Sequence, residues 1–136
     1  MMKTCYTDIV AYRTLDGSLI RELMHPQVHG NQAQSLAEAT IPAGDRTLLH
    51  RHRVSEELYH VTSGAGRVWL ADCWVDVAPG DTVCIPPGTP HCAEADEHGP
   101  LVILCCCSPA YAHADTDLLE DSISEAGAAR NPRENP

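Results

Sequence analysis

The chain of 136 residues has no phenylalanine, only nine basic residues against nineteen acidic ones, and no run of eighteen apolar positions. Each shortage excludes something. A formal net charge of −10 repels phosphate backbones and anionic lipid surfaces, so neither nucleic acid nor a membrane is expected as a partner. The opening stretch MMKTCYTDIVAYRTLDGS has no uninterrupted apolar segment of the signal-peptide kind, and no segment reads as a membrane span. A soluble, cytoplasmic protein is the expectation.

Paired C-x-x-C knuckles are missing as well. The seven cysteines are odd in number and their spacing matches no zinc ribbon, so they read as reduced thiols. Cys105, Cys106 and Cys107 are consecutive. On a strand the outer two face one way and the middle one the other, so the three cannot close on one ion. They are assigned to a core strand as small buried hydrophobes.

What the sequence does have is punctuation. Of nine glycines and ten prolines, eleven cluster at 42–44, 64–66, 79–80, 86–88 and 99–100. Between them, 18–24, 34–41, 47–52, 57–62, 67–71, 74–77, 82–85 and 101–107 have strand length, and several alternate or carry Val, Ile, Trp and Tyr. The pattern is all-β, a sandwich or closed barrel, and the length suits one domain with its own core. Ser63-Gly-Ala-Gly66 is expected to be a tight hairpin turn. The domain is placed at 1–118, followed by a polar tail at 119–136, EDSISEAGAARNPRENP in its greater part, expected to be flexible or weakly helical. No repeat at a solenoid period is present.

The chemistry concentrates in two places. His50 and His52 lie two apart, so a strand presents both imidazoles on one face and turns Arg51 away. Glu57 opens the next strand after a polar bend and can return a carboxylate to that face. His91, behind the rigid turn Pro86-Pro-Gly88-Thr-Pro90, offers a fourth donor. Nitrogen and oxygen donors of this kind accommodate one divalent ion, zinc, manganese, iron or nickel. Tyr59 shares the face of Glu57 and can bring a phenolic proton, whereas His60 falls on the opposite face. Glu56 is expected in solvent, paired with Arg51 or Arg53, and Trp69 and Trp74 are expected to fill a core or a subunit interface. His25, His29, His98 and His113 are given no chemistry.

At this point the residues resemble a known pattern. Gly44, His50, His52, Glu57 and Gly64 stand at the spacing of the first cupin motif, and Gly80, Pro86, Gly88 and His91 at that of the second, with Ala95 where the family often has Asn. The motifs, at 44–64 and 80–95, imply a double-stranded β-helix, the cupin or jelly-roll barrel, and a metal held by His50, His52, Glu57 and His91. The resemblance also suggests a pocket side chain on the preceding strand. Gln34, as an outer ligand, or Glu38, as a proton carrier beside Tyr59, are the candidates. Segments 20–26, 31–39 and 104–119 are similar to a branch of small one-domain cupins associated with polyketide biosynthesis. That similarity implies metal-dependent cyclisation, isomerisation or dioxygenation of a small oxygenated substrate, with a non-catalytic ligand-sensing module as the alternative. Three imidazoles and one carboxylate leave an open coordination position. A homodimer is expected, with 18–24 as an edge strand to be covered.

Overall fold

The computed structural model describes residues 2–120. Among them the strands are β1 (Tyr12–Arg13), β2 (Leu19–Met24), β3 (Ser35–Ile41), β4 (His50–His52), β5 (Glu56–Ser63), β6 (Gly66–Leu70), β7 (Cys73–Val77), β8 (Thr82–Ile85), β9 (His91–Ala95), β10 (Leu101–Ser108) and β11 (Thr116–Leu118). One sheet has the order β1-β2-β3-β10-β5-β8 and the other β11-β4-β9-β6-β7, with every paired register antiparallel. After β3 the chain crosses between the sheets at almost every connection, which winds it into a jelly roll: all-β as the glycine and proline spacing led one to expect, and of the kind the two motifs implied. Period-two alternation supplies the core. Val61, Ile85 and Ile103 from one sheet and Val68, Val77 and Ala93 from the other are buried in a single cluster between the sheets, where each large side chain is worth about 1.5–3 kcal/mol of burial.

Four expectations need correction, and one strand was not expected. Ser63-Gly-Ala-Gly66 is not a hairpin turn, because β5 and β6 belong to different sheets; it is a corner where the chain changes sheets. Its glycines are nevertheless required there. A Cβ on Gly64 would sit 2.0 Å from the Pro100 carbonyl oxygen, and one on Gly66 would sit 2.1 Å from that of Glu94.

Residues 91–95 are a strand and not merely the exit of a turn. HCAEA carries no β-branched residue and so gives no strand signal, yet β9 lies between β4 and β6, paired to both. Residues 18–24 are an open edge only in part: β1 pairs with β2 at Leu19 and Ile20, and farther along the Thr4 hydroxyl and the Arg21 guanidinium tie the N-terminal segment beside it.

Arg51 and Arg53 pair with Asp117 of β11, not with Glu56, which is exposed. Pairing to β4 places Asp117 directly opposite Arg51. Of the stretch assigned to the tail, Leu119 and Glu120 are docked. The Leu119 amide donates to the Leu49 carbonyl, and the buried Glu120 carboxylate accepts from the Leu49 amide and from Arg46 at 2.6 Å. Residues 121–136 lie outside the described residues.

Candidate metal centre

The strand β4 does what two-residue spacing requires: His50 and His52 are buried and Arg51 is exposed. β9 crosses beside it, with His91 in register with His50, and Glu57 enters from the facing sheet on β5. One donor atom from each of His50, His52, Glu57 and His91 lies within 4.8 Å of every other, and all four residues are buried.

The proton positions follow from the partners. His50 Nδ1 is 2.7 Å from the Leu48 carbonyl oxygen and His91 Nδ1 is 2.8 Å from that of Thr89. A carbonyl only accepts, so both Nδ1 atoms carry the hydrogen. His52 Nδ1 lies 3.1 Å from Thr116 Oγ1, whose own hydrogen goes to the Ala112 carbonyl, so this nitrogen donates too. Three bare Nε2 lone pairs therefore face one carboxylate. Glu57 Oε1 is 3.3 Å from His91 Nε2 and 3.4 Å from His52 Nε2, and both Glu57 Oε1 and His91 Nε2 are buried without a hydrogen-bond partner. Such a convergence of acceptors calls for a cation at its centre. The donor set fits a divalent ion.

The titration behaviour expresses the same demand. Burial would push the Glu57 carboxyl up, yet the neighbouring His52 and His91 imidazoles hold it well below the usual range. Burial, reinforced by the neighbouring His91, lowers His50 to about 4. His52 goes the other way. Burial lowers it, but the Glu57 carboxylate, with Asp115 and Asp16 behind it, more than offsets that and leaves it raised.

A cavity opens onto this cluster, enclosing about 640 Å³ of empty space when the solvent at its mouth is counted. Tyr59 lines it as expected, 5.9 Å from the His91 ring between centroids. Its phenol is raised well above the ordinary value by burial and by the charge of Glu57, so at neutral pH it is a donor. Glu38 and Gln34 are not brought to the site. On β3 the positions facing the cavity are Ser35, Ala37 and Ala39; Glu38 faces outward and accepts from the Tyr6 hydroxyl at 2.6 Å, and Gln34 precedes the strand, exposed. The register is one residue off the sequence assignment, which turns every side chain to the other face. His60 points away, as expected, and meets Thr82.

Three features gave no sequence signal. The Cys107 thiol, read as inert packing, donates to Glu57 Oε2 at 3.0 Å. Thr116 orients His52 from a strand that carries no strong strand signal. Asp16, in the loop before β2, places Oδ2 3.8 Å from His50 Nε2. All three depend on contacts between distant segments, and only the alternation of Cys105 and Cys107 to the cavity side was visible beforehand.

Comparison with known proteins agrees with this geometry. A cupin domain matches residues 37–107. The uncharacterized protein MJ1618 of Methanocaldococcus jannaschii is 49% identical over 120 residues, spanning 88% of this chain and 96% of its own length. Among solved structures, the polyketide cyclase RemF from Streptomyces resistomycificus superposes with a TM-score of 0.80 at 18% identity, covering 98% of this chain and 96% of its own. The Streptomyces nucleoside dehydratase Pac13 does so with a TM-score of 0.75 at 17% identity, covering 92% and 97%. With both motifs in place, four donors converging between two sheets and a domain match across more than half its length, the chain belongs to the cupin family.

Proposed function

We propose that this cupin is a metal-dependent enzyme acting on a small oxygenated organic substrate by cyclisation, isomerisation or dioxygenation. The observation that carries the reading is the convergence of three imidazole lone pairs and one carboxylate, two of the atoms without a partner, at the inner end of an open cavity. His50, His52, Glu57 and His91 would hold the ion, and an ion in such a site supplies a Lewis acid with an open position. The remaining work falls to the chain's own residues. Tyr59 keeps its proton and donates a hydrogen bond to a substrate oxygen. Ala37, Ala39 and Ile103 form an apolar wall that displaces water from the reacting face. The fold is one on which a cyclase and a dehydratase work, which supports the substrate class without choosing the reaction.

Metal analysis by mass spectrometry of protein purified without a histidine tag tests the first half, with one ion per chain expected. Turnover of polyketone, enol and sugar substrates by the loaded protein tests the second. Tight binding without turnover would favour the ligand-sensing alternative and defeat the enzymatic claim.

A further inference from the structure

The wall of the cavity has a charge pattern that the metal ligands do not account for. Besides Glu57 it carries two more carboxylates, Asp16 and Glu22, and among the described residues no lysine or arginine lines it. Both extra carboxylates are half committed. Asp16 Oδ1 accepts from Thr14 Oγ1, the Ser18 amide and Ser18 Oγ at 2.6, 3.0 and 2.7 Å, and the loop is pinned by the Leu48 amide on the Asp16 carbonyl at 2.7 Å. Oδ2 is left on the side of His50. Glu22 Oε2 accepts from the Tyr12 hydroxyl at 3.0 Å, while Oε1 is buried with no hydrogen-bond partner. Ser18, Ile20 and Glu22 alternate onto the cavity side of one strand, so Glu22 stands about 13 Å along the wall from Ser18 at a strand's rise per residue. One free acceptor oxygen thus lies beside the metal ligands, and a second lies farther along the same wall.

From this we infer that the cavity selects a neutral molecule bearing at least two hydroxyl groups and rejects carboxylate and phosphate anions, with Asp16 and Glu22 as the specificity-determining pair. The inference rests on the proposed small-molecule site and names the class of substrate it takes. Three carboxylates outweigh a divalent ion by one negative charge, so an anion entering the cavity meets net repulsion in a poorly screened space. A hydroxyl instead donates to an acceptor that has no partner, relieving the cost of its burial.

Glucose and glucuronate share a pyranose ring with hydroxyls on opposite sides and differ at one carbon as a neutral polyol and an anion, which makes them suitable probes. Isothermal titration of both into zinc-loaded protein should show glucose binding tighter by about tenfold or more, the weight of one uncompensated charge in such a site. The Asp16→Asn, Glu22→Gln double variant retains an amide oxygen at each position and should close that gap, glucuronate gaining and glucose losing affinity. Each single variant should close it in part, so the comparison survives if the double variant does not fold. Glucuronate binding as tight as glucose, no glucose binding, or a ratio unmoved in every folded variant overturns the inference. Zinc content measured on the same samples separates the two readings. Protein that takes up no zinc defeats the metal proposal, while the ratio read in zinc-free protein still tests the charge pattern, because the three carboxylates remain.

Discussion

Cys107 and Thr116 each give one hydrogen-bond partner to a metal ligand, and neither is a ligand itself. Cys107→Ala leaves Glu57 Oε2 without its donor, and Thr116→Val removes the acceptor that fixes His52. Such partners set ligand orientation and basicity, so each change should weaken metal binding by about 10–100-fold, whereas Cys107→Ser keeps a donor and should stay near the parent value. Chelator competition with zinc measures all three.

The pH response is set by residues as well. His50 is held neutral by burial, its pKa falling from 6.5 to about 4, so the unfolded chain binds the extra proton first. Metal-free protein should therefore lose stability as pH falls from about 6.5 to about 4, by about 3 kcal/mol from His50 alone. His52, raised above its ordinary value, acts in the opposite sense and gives back stability below that raised value. Urea midpoints should fall across this window, and the fall should shrink in His50→Gln. His50, His52 and Glu57 were legible because strand alternation is local. The partners of their second nitrogens and oxygens were not, because they are set by carbonyls and by segments fifty or more positions away.

At the level of strands and corners, the glycines separate into those the chain must have and those it merely prefers. Gly64 has φ near +78° and no room for a Cβ, whereas Gly88 has φ near +79° and open space. Gly88→Ala should cost about 1–2 kcal/mol for the left-handed backbone alone. Gly64→Ala adds a collision with backbone that cannot yield and should cost about 3 kcal/mol or more. Denaturant unfolding of the two variants side by side distinguishes them. Glycine and proline spacing made most strand boundaries readable, yet it placed Ser63-Gly-Ala-Gly66 in a hairpin and gave no hint of β9. A corner and a hairpin use the same residues, and a strand made of small and polar residues is specified by the neighbours that pair with it. Gln34 and Glu38 failed for a third reason, a register shifted by one.

For the whole molecule, the cluster joining both sheets buries Ile41, Val61, Val68, Ile85, Leu101 and Ile103 independently of the site, so the barrel should fold without an ion. Chelated protein should melt cooperatively and at lower temperature. Readdition should restore stability by mass action, by about 2.7 kcal/mol once free metal exceeds its dissociation constant a hundredfold. Differential scanning calorimetry with and without chelator reads this directly, and a non-cooperative melt of the chelated protein would mark the ion as structural.

His91 is fully buried and does not line the cavity, while His50, His52 and Glu57 do. An ion bound among them therefore has its back to the protein and its face to the one cavity described at the site. It follows that metal and substrate share a doorway, and their exchange is ordered in time. The ion must arrive first and leave last, so a resident substrate acts as a cork. Chelator should strip the ligand-free protein faster than the ligand-bound one, and this difference in stripping rate reports cavity occupancy even for a compound that is never turned over.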